Sequence, residues 1–244
     1  MKKRTATLIA AFLTALMAAS ASNAGAAAPK ESARSKAAIA RVTPSLQQAL
    51  AKKKLGLGAP VFIRIFKESK ELEVWMRAGN SDGRYALFKT YPICTYSGKL
   101  GPKLKVGDWQ APEGFYRVAA SQMNPYSNYH LSFDLGYPNA YDRAQQRTGS
   151  ALMVHGNCVS IGCYAMTDGG IEEIYALVDA ALRGGQPAFD VHVFPFRLTD
   201  EALASYKTHR WHDFWKELKQ GYDAFEKTRT PPAIAVRNKH YVVQ

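Results

Sequence analysis

From residue 60 onward the chain is written in short apolar runs and two-residue alternation, a period that points to pleated strands. Residues 61–66 (Val-Phe-Ile-Arg-Ile-Phe) are β-branched and aromatic. Leu72, Val74 and Met76 alternate with Glu73, Trp75 and Arg77, so the two faces of that strand meet different surroundings. Asn80-Ser81-Asp82-Gly83 reads as a turn and 85–94 as a third strand, which opens the segment as a β-meander. Residues 98–112, rich in Gly, Pro and Lys, read as a surface loop. Residues 115–118 and 151–154, and the alternating Phe189, Val191 and Val193, add strands; 121–147 is polar and aromatic, with turn signals at Asn124-Pro125 and Pro138-Asn139.

Helices are fewer. Thr167 caps a helix from Asp168 that carries Ile171, Ile174, Tyr175, Val178 and Leu182 on one face and ends at Gly184-Gly185. Trp211, Phe214, Trp215 and Leu218 fall at helical spacing, with Gly221 as the expected stop, and 233–236 with 241–243 read as a final hairpin. Upstream, Thr43 is expected to cap a short helix over 44–54, with linker around it. The predicted class is mainly β with packed helices.

The N-terminus sets the compartment. Lys2, Lys3 and Arg4 precede an apolar run over 5–19 and a small-residue stretch over 20–28, the order of a secretory signal peptide. That run is short for a membrane span, and no later one is long enough. The formal charge is +12, and about +9 remains without those three cations. An exported basic protein is expected to meet acidic envelope polymers rather than nucleic acid. The expected organisation is a signal peptide (1–28), a linker with a short helix (29–59), one domain (60–196) and a C-terminal helical and hairpin extension packed on it (197–244).

The chemistry concentrates in His155-Gly156-Asn157-Cys158-Val159-Ser160-Ile161-Gly162-Cys163. A cysteine nucleophile acts as its thiolate, and a nearby imidazole can take the proton. His155 ends an apolar strand and Cys163 precedes a helix, so the loop between them can fold back. Gly162 permits close approach of a carbonyl, and the amides around Cys163, near a helix start, are candidate oxyanion donors. Competing readings are an inert buried thiol and a zinc set of His155, Cys158 and Cys163, which lacks a fourth ligand of suitable spacing. No metal or cofactor is expected. The cysteines Cys94, Cys158 and Cys163 are odd in number. A Cys94–Cys158 bond would brace the loop and leave Cys163 free; a Cys158–Cys163 bond would act as a switch; or all three remain reduced.

His155-Gly156 followed by Ser160-x-Gly162-Cys163 resembles the active-site signature of the L,D-transpeptidase catalytic domain, the YkuD type. Gly107-Asp108 through Pro112-x-Gly114-x-Tyr116, and Tyr137-Pro138-Asn139 with Asp142, are similar to further segments of that family. The resemblance implies a β-sandwich-like catalytic domain acting on peptidoglycan stem peptides. Cys163 would attack the carbonyl at the L-centre of diaminopimelate and His155 would act as base, with Gly156, Ser160 and Gly162 completing the motif. Ile161 stands where the family usually has His, and Ala165 where it usually has Arg. Arg143, beside Tyr141 and Asn139, is the expected substitute for that carboxylate-binding Arg. The stretch between His155 and Cys163 is also shorter than in typical transpeptidases. These departures, with Cys94-Thr95-Tyr96-Ser97-Gly98 and the Pro-Phe-Arg and Asp-Phe-Trp segments near the C-terminus, resemble one branch, the peptidoglycan meso-diaminopimelic acid protein amidase A group. That branch implies a periplasmic enzyme that cuts the amide between diaminopimelate and the C-terminal lysine of a covalently attached outer-membrane lipoprotein. The alternatives are an L,D-transpeptidase and a non-catalytic peptidoglycan-binding protein.

Overall fold

Strand β1 (Val61–Phe66) has every residue buried because both of its faces are covered. It pairs antiparallel with β2 (Glu71–Arg77), which pairs with β3 (Tyr85–Pro92). The computed structural model describes residues 28–79 and 82–244. The expected signal peptide, apart from Ala28, and Asn80 and Ser81 of the first turn therefore lie outside the described residues.

Among the described residues helix α1 (Ala33–Lys52) comes ahead of β1, and the chain continues from β3 through β4 (Thr95–Tyr96), β5 (Gly114–Ala119), β6 (Met123–Asn124) and β7 (Ser132–Asp134). A short helix α2 (Ala140–Ala144), strands β8 (Met153–His155) and β9 (Tyr164–Ala165), helix α3 (Asp168–Arg183) and β10 (Ala188–Phe194) follow. The C-terminal part holds α4 (Asp200–Ser205), α5 (His212–Thr228) and the hairpin β11 (Ile234–Arg237) with β12 (His240–Val243). Two mixed sheets result, ordered β3-β2-β1-β10-β5 and β4-β9-β8-β7-β6. Each has one parallel pair, β1 with β10 and β8 with β9.

The inner face of the first sheet, with Ile63, Val74, Val118 and Val191, shares one core with Phe133, Val154 and Tyr164 of the second. On its outer face Phe66, Phe115 and Phe194 meet Trp215, Leu218 and Tyr222 of α5. Arg64 points to that outer side yet is 2 % exposed. Its guanidinium donates to Glu73 at 2.7 and 2.9 Å and to Glu226 at 2.6 Å, which supplies the paired partners a buried charge requires.

Three local expectations are corrected. Helix α1 begins at Ala33, not near Pro44: Ser32 caps it, and Pro44 lies inside it. Ala38, Val42, Leu46 and Leu50, at four-residue spacing, bury a stripe in the core that also holds α3, and this burial offsets a proline that costs roughly 3 kcal/mol inside a helix. Thr43 is no cap, since its hydroxyl donates back to Ile39 O. Gly221 does not stop α5 but lies within it, where a Cβ would meet Phe115 Cζ at 2.6 Å. The glycine allows the helix to approach the sheet closely. His192, which alternates with Val191 and Val193 along β10, is nonetheless 2 % exposed, between the rings of Phe62 and Phe115.

Candidate active site

The short strands β8 and β9 bring the sequence-predicted pair together. Their parallel register sets Val154 beside Tyr164 and His155 beside Ala165. Val154 and Tyr164 are fully buried in the core. Side chains alternate along strands, so Met153, His155 and Cys163 share the opposite face. Cys163 falls beside Met153, whose N–H donates to its Sγ at 3.4 Å, and Sγ lies 3.7 Å from Ala151 O. His155 is two residues further along the adjacent strand, so the step between the two backbones is diagonal, roughly 5 Å across and roughly 7 Å along the strands.

His155 Nδ1 lies 2.6 Å from Gly156 O. A carbonyl only accepts, so Nδ1 carries the proton and Nε2 keeps its lone pair. The Tyr129 ring covers the imidazole, with centroids 4.7 Å apart. Burial pushes the His155 pKa down. Burial likewise pushes the Cys163 thiol up, reinforced by Asp134 and opposed by the Met153 amide and the charge of Lys103. Both shifts favour a neutral thiol beside a neutral imidazole over a preformed ion pair.

The loop 156–163 is tied down along its length. Cys94 and Cys158 form a disulfide with Cα atoms 5.3 Å apart, and Cys163 is the free thiol. Cys94 N–H donates to Ala165 O and Cys158 N–H to Met166 O, so the bridge straddles β9. Asn157 and Cys158 take left-handed backbone at φ 65° and 46°, a region sparsely populated without glycine. The Asn157 amide is held there by Asp168 Oδ1 at 2.8 Å. Ser160 Oγ donates to Cys163 O at 2.7 Å and accepts the Gly162 amide at 3.2 Å, clipping the last turn. A Cβ at Gly156 would sit 2.6 Å from Asp168 Oδ1, which leaves no room for a side chain. One expectation changes here. The Gly162 amide is directed to Ser160, and Cys163 leads into β9, with α3 starting at Asp168 as expected.

Cys163 borders a cleft of about 390 Å³ lined by Lys103, Val106, Gly107, Trp109, residues 149–152, Ile161 and Gly162. Its rim is unusually apolar: Val106 is 72 %, Ile161 69 % and Trp109 63 % exposed. Its cation is Lys103, with Nζ 2.5 Å from Asp108 Oδ1 and donating to Lys105 O. Arg143, Tyr141 and Asn139 do not line this cleft. Arg143 donates to Pro138 O. Tyr141 stacks on Tyr241 at 4.1 Å, and the Asn139 amide donates to Phe115 O and Tyr241 Oη. Tyr141 and Asn139 brace α2 against the C-terminal hairpin, while Arg143 is tied back to the turn that precedes its own helix. Reading the sequence alone missed Lys103 and Tyr129, which stand outside the motif; loop position and an aromatic next to His130 were the only signals.

The wall carrying Lys103 and Trp109 is anchored from beneath. Lys67 and Glu113 form a pair at 3.0 Å with neither side chain exposed. Lys67 Nζ also donates to the carbonyls of Lys99, Gly101 and Ala111, while Glu113 accepts from the Gly101 amide and from Trp215 Nε1 on α5.

Residues 60–193 match the L,D-transpeptidase catalytic domain, YkuD. Over 187 residues the chain is 50 % identical to the L,D-transpeptidase-family protein YafK of Escherichia coli (strain K12), covering 77 % of this chain and 75 % of that one. Among solved structures, the helical cell shape determining protein Pgp2 of Campylobacter jejuni, as its K307A mutant, superposes with a TM-score of 0.46 at 19 % identity, over 78 % of this chain and 63 % of that one. Bd1075 of Bdellovibrio bacteriovorus gives 0.41 at 18 %, over 74 % and 78 %. Among the described residues, no helix is long and apolar enough to cross a membrane.

Proposed function

Because the chain belongs to the L,D-transpeptidase catalytic-domain family, we propose that it is a periplasmic cysteine amidase of peptidoglycan, hydrolysing the amide between diaminopimelate and the C-terminal lysine of a covalently attached outer-membrane lipoprotein. The observation that carries this reading is the free thiol of Cys163 and the Nε2 lone pair of His155 on one face of the β8–β9 pair, beside an open cleft.

In this mechanism His155 Nε2 takes the Cys163 proton as Sγ attacks the carbonyl carbon at the L-centre of diaminopimelate. The C–N bond breaks, the lysine amine leaves with the proton returned by His155, and a thioester remains on Cys163. With the Gly162 amide turned to Ser160, the Cys163 amide is the donor assigned to the oxyanion. Water, deprotonated by His155, then attacks the thioester and restores the thiol. Lys103, the cation that lines the cleft, takes the role expected of Arg143, and a substrate carboxylate would compete with Asp108 for its ammonium.

Hydrolysis rather than transpeptidation is favoured by the short loop 156–163, which adds no lid over Cys163; an amine-specific acceptor step needs water excluded. The apolar rim of Val106, Trp109 and Ile161 suits a polypeptide leaving group. The test is incubation of the mature protein with lipoprotein-bearing sacculi, followed by mass spectrometry of the soluble products. Release of intact lipoprotein with a free C-terminal lysine, absent with Cys163→Ala, is expected. A coupled product with added amine acceptor, in place of release, overturns hydrolysis in favour of transpeptidation.

A further inference from the structure

Trp109 is a wall shared by two depressions. On one side is the Cys163 cleft; on the other is a groove of about 730 Å³, lined among others by Lys99, Leu100, Trp109, His209, Arg210 and Trp211. Nothing in the proposed chemistry uses this groove. Of the four tryptophans, Trp75 and Trp215 are buried, whereas Trp109 and Trp211 both face the groove. The Trp211 indole lies so close over Gly101 that a Cβ there would meet Nε1 at 2.4 Å, and Arg210 sits over the same ring at 4.6 Å. Trp109 is held in left-handed backbone at φ 54°, a conformation rare for a bulky side chain, while its indole stays mostly in solvent. Its neighbour Asp108 holds that turn by accepting from the amides of Leu104, Lys105 and Gln110.

We propose that this groove binds the glycan strand of the polymer whose stem peptide enters the Cys163 cleft. This assignment rests on the peptidoglycan reading above. The apolar face of a pyranose ring stacks on the exposed indole of Trp109 and against the half-buried edge of Trp211, and water is displaced from both surfaces. Acetamido and hydroxyl groups, and any free lactyl carboxylate, meet the cations Lys99 and Arg210 and the imidazole of His209. Continuity through Trp109 matches the covalent continuity of sugar and stem, so one ligand would span both depressions and gain from the second contact by effective concentration.

The test uses the Cys163→Ala form of the mature chain and two soluble probes: glycan strands stripped of stem peptides, and stem peptide without sugar. Binding is followed by intrinsic tryptophan fluorescence and by calorimetry. The stripped strands should bind and perturb the fluorescence. Trp109→Ala and Arg210→Ala, both exposed positions, should each weaken that binding about tenfold with circular dichroism unchanged. Arg210→Ala should change stem-peptide affinity by less than about twofold. Absence of strand binding, or strand binding that survives both substitutions, overturns the proposal. A stem-peptide affinity that falls with Arg210→Ala overturns it in favour of a peptide site. Failure of lipoprotein release with strand binding intact would instead remove the amidase reading and leave the groove assignment standing.

Discussion

The two five-stranded sheets are built from different material. In the first, every strand is six to eight residues long and carries its own ladder of hydrogen bonds. In the second, no strand exceeds three residues. Such short strands cannot hold a register by themselves, so the second sheet borrows it from the Cys94–Cys158 bridge, the Ser160 clip and the Asp168–Asn157 contact. His155 and Cys163 both sit on the borrowed sheet. The difference teaches that the stability of this protein and its proposed chemistry are held in separate places, joined by the shared core and by the Lys67–Glu113 anchor.

The sharpest test of this separation is His155→Ala. It should slow thioester formation by roughly 10²–10⁴-fold, measured as release from sacculi, while the thermal midpoint stays near that of the parent. A near-parent rate would point to another base, but His130 is engaged with Glu172 and His192 is enclosed on the first sheet. The same assay against pH should show an acid limb below the ordinary histidine value of 6.5, because burial lowers the His155 pKa.

Glu113→Gln strikes the junction instead. Removing one charge of a buried pair typically costs about 3–5 kcal/mol. Denaturant unfolding should report that loss, and activity should fall with it because Lys103 and Trp109 ride on the loop that Glu113 and Lys67 anchor. A stable Glu113→Gln protein would mean the loop is held by something other than this pair.

Replacing Cys94 and Cys158 by Ala removes the bridge alone. A native disulfide is typically worth about 2–4 kcal/mol. Hydrogen exchange should rise in β8, β9 and loop 156–163 while amides of β1, β2 and β10 remain protected. Uniform loss of protection would collapse the distinction between the two sheets.

The smallest effect on activity belongs to the first sheet. His192 is enclosed, and burial with the nearby charge of Arg64 lowers its pKa from 6.5 to about 3. Below pH 6.5 the unfolded chain takes up a proton that the folded chain refuses. Stability is therefore whole above that value and falls toward pH 3, by at most about 1.4 kcal/mol per pH unit. His192→Leu should flatten this slope in urea titrations at several pH values and leave the release rate at neutral pH unchanged. An unchanged slope would assign the acid sensitivity to other groups.

Much of the first sheet was legible because alternation and β-branched runs are local signals: 61–66, 72–77 and 189–193 are strands as read. The capping Thr167 and terminal Gly184 of α3 were legible for the same reason. The second sheet was legible only in part, since two-residue strands such as β4 and β9 have no period to read. The extent of α1 was missed because Pro44 interrupts the local pattern, whereas the stripe that buries the helix is a tertiary fact.

The amino-acid order by itself determined the chemical inventory: a Gly-Cys pair whose cysteine falls eight residues after His155, an odd cysteine count, and the family signature that links them. Only the tertiary structure decided which cysteines pair, which nitrogen of His155 holds the lone pair, and that Lys103 rather than Arg143 lines the cleft. Each of these depends on groups distant in the chain meeting in a buried setting. There, desolvation and hydrogen bonding choose the partner, and sequence spacing carries no record of the choice.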